Sequence, residues 1–381
     1  MYTVLDFCLS SSFLLPSLTF QSKGRHLSST KLRIILCCII NEMYIDCYCK
    51  SQCMKNWSAY KYLLARRRHP PFTSNLLNIL NKKVPIVSTR NHFNLETGQL
   101  SSLKNMEDYD SFYVPGLNGN PCSDNNELAV YIHGVWTGQI AVKEQIDRTN
   151  LSLNANGYNI PLVGFSWDSN TATNPPGWAI AKFIASQNGP KLAKFLSDFK
   201  ANCPNHNIRI IAHSLGAKVV ESALINLNNN ERWKNNSAYN ITSIHLIGAA
   251  ISDRATSKNT QFGNAIDNIV DNFYNLYNPK DNLLQGLYVK TENENPLGLL
   301  GLNKEEPFPQ NYMEYNVMSE IPPFKNASGI YQPFVDNTVS GWGNNHSGYI
   351  GFRERYPSNK SLKDDGAINV IVADWRANNN R

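Results

Sequence analysis

Ser214 lies in "RIIAHSLGAKVV" (209–220), between a histidine and a leucine, after a run of apolar β-formers and before a helical pattern. Ala212 and Gly216 flank it at i−2 and i+2. That spacing suits a sharp strand-to-helix turn, which has no room for larger side chains and pushes the serine Oγ up above a sheet. A serine so placed can attack a carbonyl carbon if a base, an acid and an oxyanion site accompany it. Without them it only closes a buried turn.

The chain offers each partner in order. One oxyanion donor is the amide of Leu215, at the helix N-terminus directly after the serine. About 80 residues upstream, "YIHGVWTG" places His133-Gly134 at another strand end, with the amide of Val135 next in line and that of Trp136 as the alternative. Two histidines lie downstream of the serine, His245 and His346. His245 sits inside the apolar run "SIHLIGAA" and reads as a satisfied core histidine. His346 lies in "GWGNNHSGY", a Gly- and Asn-rich loop able to bring an imidazole back over a sheet, and is the preferred base. For the acid, Asp281 in "YNPKDNLL" follows a strand and a Pro turn, and Asp253 after "LIGAAIS" is the alternative. Either carboxylate would orient the imidazole and stabilise the imidazolium as the serine attacks.

The elements that must position these residues recur from about residue 106. Short β-rich runs at 127–134, 159–167, 207–214, 242–250, 272–279 and 313–319 end in small, polar or turn residues. Helix-length segments at 139–155, 177–202, 215–228 and roughly 259–271 lie between the earlier ones. Strands alternating with helices predict an α/β architecture, a mostly parallel sheet covered on both faces, with its crevice at the carboxyl ends of the strands. The candidate residues fall at those ends.

Composition divides the chain. Residues 1–105 carry 14 Lys or Arg against 4 Asp or Glu, whereas the remainder carries 22 against 26. Six of the eight cysteines lie in the first 53 residues, and Cys122 and Cys203 lie beyond. The expected organisation is a basic, Cys-rich N-terminal extension (1–105), poorly ordered or associated with a membrane surface, followed by an α/β domain (106–381). A chain starting near residue 106 is then expected to fold and stay active. "CYCKSQC" (47–53) lacks the spacing of a zinc ribbon or finger, and two cysteines in a body of this size make no disulfide framework. No nucleic-acid partner is expected, because the basic region has no helix-turn-helix, zinc-finger or RRM signature. The balance favours a cytoplasmic or membrane-associated protein over a secreted one, and leaves the oligomeric state unread.

In "YIHG", "FSW" (165–167), "AHSLGAKVV", "LIGAA", "YNPKDNLL" and "HSGY", taken in that order, the chain resembles the α/β-hydrolase superfamily, in its lipase-like and uncharacterised serine-hydrolase branches. The resemblance spans about residues 125–350 and departs at Ala212, where many members have glycine. It implies an α/β-hydrolase fold and hydrolysis of an ester through an acyl-serine intermediate, with no metal or organic cofactor. Ser214 would be the nucleophile, His346 the base and then the acid, Asp281 its orienter, and Val135 and Leu215 the oxyanion donors. Trp136, Trp167 and Trp342 are candidate substrate-binding residues, and the apolar stretch "ENPLGLLGLN" (294–303) a candidate lid or pocket wall, which favours a lipid-like or medium-chain acyl ester. An amidase, peptidase or thioesterase would use the same residues. The competing class is a non-catalytic, membrane-associated scaffold or binding protein of the same fold.

Overall fold

The apolar runs pair side by side. The central sheet contains β1 (Ile86–Ser88), β2 (Asp110–Phe112), β3 (Glu127–Ile132), β4 (Leu162–Ser166), β5 (Asn207–His213), β6 (Ser243–Ile247), β7 (Phe273–Tyr277) and β8 (Tyr312–Asn316). Their spatial order is β2-β1-β4-β3-β5-β6-β7-β8. Neighbours are parallel except β1 and β2, which are antiparallel. The structure is a computed structural model that describes residues 84–236, 238–321, 344–353 and 362–379.

The inner strands are buried on both faces. In β3, Leu128, Val130 and Ile132 join one apolar cluster, while Ala129 and Tyr131 join the other. A strand covered on both sides reads as a continuous apolar run, and this is why β3 to β7 are visible in the sequence. The first cluster is capped by α2 (Pro175–Asn202), α3 (Gly216–Asn228) and α4 (Gln261–Ile269), and the second by α1 (Gln139–Ala155) and α5 (Ile368–Asn379). Two of these five helices start on side-chain caps: Asn174 accepts from the Gly177 amide and Thr260 from the Gly263 amide. Among the described residues no helix is long and apolar enough to cross a membrane.

The path from β3 to β4 runs one way across the sheet, and the path from β4 to β5 crosses back past β3. Strand order therefore reverses between β3 and β5, and a crevice opens beyond their carboxyl ends. His133-Gly134 leaves β3 there, and Ser214 leaves β5.

The sheet begins upstream of residue 106, so the expected boundary at 105 is displaced. β1 pairs in parallel with β4, and Val87 is fully buried. Behind it the Thr89 hydroxyl donates to Asn188 Oδ1, and the buried Asp168 carboxylate accepts the amides of Asn91 and Phe93. With three residues, one of them fully buried, β1 is too short for its periodicity to register. Most of the basic, Cys-rich segment lies outside the described residues. A disulfide links Cys122, before β3, to Cys203, after α2.

Candidate active site

Ser214 follows β5 directly with φ of +54°, in the left-handed region that non-glycine residues rarely occupy. Such a conformation persists only where its surroundings over-determine it. Here the Ser214 amide donates to Ile247 O at 3.0 Å, while its carbonyl accepts from the amides of Ala217 and Ala250, both at 3.1 Å. Gly216 opens α3 against the end of β3, where a Cβ would lie 2.8 Å from the carbonyl oxygens of both Ile132 and His133. The small residue at i+2 is thus a packing requirement, because helix and strand meet backbone to backbone. Ala212, at i−2, is fully buried with its methyl group accommodated.

The turn after β3 comes close to the serine. A Cβ on Gly134 would stand 2.8 Å from Ser214 Cβ and 3.2 Å from its Oγ, so no larger residue fits. His133 holds this turn from behind. Its Nε2 accepts the Trp167 amide at 3.0 Å, so the proton is on Nδ1, which donates to Gly134 O at 2.8 Å. Trp167 stacks on the imidazole with ring centroids 5.5 Å apart, and its Nε1 donates to His133 O. Arg90 completes the brace: Nη2 donates to Thr137 O at 2.7 Å and lies 3.1 Å from His133 Nε2, and Nε donates to Ser166 Oγ at 2.8 Å. The Trp136 amide, the alternative oxyanion donor, is engaged by Ser169 O. The amides of Val135 and Leu215 make no backbone hydrogen bond among the described residues.

His346 and Asp281 meet in the interior. Nδ1 of the imidazole is 2.7 Å from Asp281 Oδ2, and the other carboxylate oxygen accepts the Leu284 amide at 3.0 Å. A carboxylate accepts here, so Nδ1 carries the proton and Nε2 presents a lone pair. That nitrogen is buried and has no hydrogen-bond partner among the described residues, the Ser214 hydroxyl included. The ring of His213 bridges the two halves: its Nε2 donates to His346 O at 2.7 Å, and the two imidazoles are 4.7 Å apart. Asp253, the alternative acid, lies in the turn after β6 with its amide on Asn295 O. His245 is fully buried in β6, 3.2 Å from Asp374 Oδ2, as a core histidine should be.

Burial pushes the pKa values of His133 and His213 well below the ordinary 6.5, helped by the charge of Arg90 at His133 and by His346 at His213. An unfolded chain takes up protons at these rings that the folded chain refuses. Stability is therefore present in full above about pH 6.5 and falls as the pH drops below it, by up to about 1.4 kcal/mol per unit for each ring. Urea midpoints recorded from pH 7.5 to 5 should decline. A flat profile would contradict two buried neutral imidazoles.

The tryptophans divide by burial. Trp136 is half-exposed and faces Trp178, with ring centroids 6.2 Å apart. Trp178 donates through Nε1 to Glu292 and meets Tyr288 edge-on at 6.1 Å. Trp167 is fully buried against His133 and braces the turn instead of offering a free wall. Trp342 lies outside the described residues. The stretch 294–303 is sewn into the core: Leu297 N donates to Ile251 O, Gly298 N to Ala249 O, and a Cβ on Gly298 would overlap the Ala249 amide. It is packed in place, with Leu297 and Leu299 buried and Leu300 exposed, and is not a lid.

Arg90 and His213 were not legible as site residues. Arg90 follows a strand too short to read, and nothing in "AHS" tells where the His213 ring points. The one signal available was the adjacency of His213 to Ser214.

Residues 120–298 match the family described as alpha/beta hydrolase of unknown function (DUF900). No curated protein matches the chain. Among solved structures, the chain is similar to a Trichoderma reesei cutinase in complex with a C11Y4 phosphonate inhibitor, at 16% identity and a TM-score of 0.23, over 33% of this chain and 52% of that one. A cutinase-like protein from Cryptococcus sp. is 12% identical over 51% of this chain and 77% of its own, with a TM-score of 0.28. A metagenomic carboxyl esterase is 14% identical over 68% and 91%, with a TM-score of 0.26. The chain thus spans about half the length of the cutinase it matches.

Proposed function

Because the chain belongs to the broad α/β-hydrolase superfamily, we propose that it is a serine hydrolase of carboxylic esters that works through an acyl-serine intermediate. The observation that carries this reading is the meeting of three features at the strand-order reversal. These are a serine held at φ of +54°, a turn at Gly134 packed so close that a Cβ there would lie 3.2 Å from the serine Oγ, and an imidazole whose far nitrogen is bonded to a buried carboxylate.

In this reading His346 Nε2, a lone pair in the ground state, removes the Ser214 proton as Oγ attacks the ester carbonyl carbon. Asp281 holds the ring in the required tautomer and stabilises the imidazolium. The amides of Val135 and Leu215 are the donors for the developing oxyanion. The imidazolium then protonates the leaving alcohol, and a water activated by the same ring releases the acid. Ser214 and His346 share no hydrogen bond in the free protein, and such bonds often tighten only when substrate is bound. The half-exposed Trp136, with Trp178 behind it, and the exposed Leu300 offer apolar surface, which suits a lipid-like or medium-chain acyl group.

Labelling of the purified protein with a fluorophosphonate, alongside hydrolysis of p-nitrophenyl esters of increasing chain length, tests this reading. Labelling lost in both Ser214→Ala and His346→Ala supports it, and the chain-length profile separates esterase from lipase. A folded wild-type protein that neither labels nor hydrolyses any ester points to the scaffold reading.

Arg90 bears on the same step through position alone. Arg90→Met removes the brace on the His133–Thr137 turn, and kcat is expected to fall about 10- to 100-fold, less than for loss of an oxyanion donor itself. KM should change little, and Arg90→Lys should recover part of the loss. An unchanged kcat in Arg90→Met would show that the turn holds its shape unaided.

A further inference from the structure

At the other end of β5 lies a second cluster of reactive side chains. Cys203 ends α2 and His206 immediately precedes β5, so "CPNH" (203–206) presents a sulfur and an imidazole three positions apart. Cys122 joins them from the segment before β3. One ligand atom from each of the three lies within 4.8 Å of the others. The seven residues of β5, at about 3.3 Å each, put roughly 20 Å between this cluster and Ser214.

The two sulfurs form a disulfide with Cα atoms 6.0 Å apart. The bond leaves the imidazole unexplained. His206 is 7% exposed, and its Nε2 lies 2.8 Å from the Ser123 carbonyl oxygen, which can only accept. Nε2 therefore carries the proton. Nδ1 is left as a buried lone pair with no hydrogen-bond partner among the described residues. An acceptor buried without a donor loses its bond to water and gains nothing in return. A backbone carbonyl that fixes one ring nitrogen as donor, leaving the other for a ligand, is the usual environment of a metal-bound imidazole.

We propose that Cys122, Cys203 and His206 form a redox-gated site for a thiophilic divalent cation, of which zinc fits the donors best. Two thiolates and an imidazole favour zinc over calcium or magnesium, which take oxygen ligands. Zinc bonds of about 2.3 Å to sulfur and 2.0–2.1 Å to nitrogen hold their ligand atoms farther apart than two bonded sulfurs are, so the site forms only once reduction lets the sulfurs separate. Cys122 is half-exposed, so water can fill the fourth position. The exchange balances: a dithiol reductant gives two electrons to the Cys122–Cys203 bond and closes its own disulfide. Its two protons pass to solvent, and the two freed thiolates bind the cation. Covalent bond and metal are alternative ties between the segment before β3 and the α2–β5 connection. The site is independent of the ester-hydrolysis reading.

The full chain, reduced with a phosphine under anaerobic conditions, is equilibrated with Zn2+, and its metal content is measured after gel filtration. Wild type is expected to hold one more zinc per chain than Cys203→Ser, and to lose it on reoxidation to the disulfide. The other cysteines are common to both proteins, so their contribution cancels. His206→Gln, which keeps both sulfurs, should weaken that zinc at least tenfold in competition with a chromophoric chelator. Co2+ gives a second readout should Cys203→Ser fold poorly: the tetrahedral absorption of the reduced wild type should change in His206→Gln. Equal zinc content in folded wild type and Cys203→Ser overturns the proposal and leaves a plain disulfide. An unaltered affinity and Co2+ spectrum in His206→Gln overturns it equally.

Discussion

Ser214→Ala is expected to abolish fluorophosphonate labelling and to lower ester hydrolysis by at least about 10⁴-fold, the scale on which loss of a serine nucleophile acts. Ser214→Gly should be equally inactive but more stable. The reason is the backbone: at φ of +54° any side chain meets the following carbonyl, at a cost of about 1–2 kcal/mol that glycine avoids. Glycine gives back about 0.5–1 kcal/mol through its freer unfolded chain. The glycine variant should therefore exceed the alanine variant by about 0.5–1 kcal/mol in urea denaturation. Full activity in Ser214→Ala would end the nucleophile assignment. A glycine variant less stable than the alanine variant would show that the turn is not strained.

A chain that begins at residue 106 is expected not to reach the native state, whereas one that begins at residue 84 should. The short chain loses Val87 and Phe93, both buried, at about 1.5–3 kcal/mol each. It also strips the buried Asp168 carboxylate of the Asn91 and Phe93 amides. Burial already raises the pKa of that carboxylate, so these amides are what make its charged form tolerable there. β4 loses its parallel neighbour, and His133 its arginine. Together these losses are comparable to the whole stability of a domain, about 5–15 kcal/mol. Thermal melts followed by circular dichroism on the two chains decide the matter. Equal melting temperatures would restore the boundary expected from composition.

Much of the architecture was legible along the chain because the inner strands are buried on both faces and the helices between them are long. Helix α1 is observed over the predicted residues, 139–155, and α3 starts one residue inside its predicted bound. What escaped notice lay at the edges. β1 and β2 are three residues each, and neither pattern outlasts a turn. The boundary was drawn from charge and cysteine content, which follow solvent exposure and chemistry and not sheet pairing.

For the candidate site, the sequence by itself determined the residue types, their chain order and the need for small residues around Ser214. These are local matters: a strand-to-helix turn imposes them on adjacent positions. Only the tertiary structure decided which carboxylate meets His346, because Asp281 and Asp253 follow adjacent strands and differ in where their loops return. It decided that Trp167 braces a turn while Trp136 stays half-exposed beside Trp178, and that the 294–303 stretch packs into the core. It also brought Arg90 to His133 and Cys122 to Cys203. These contacts join residues 43 and 81 positions apart, and pairings over such distances are set by the packing of whole elements, which no local pattern records.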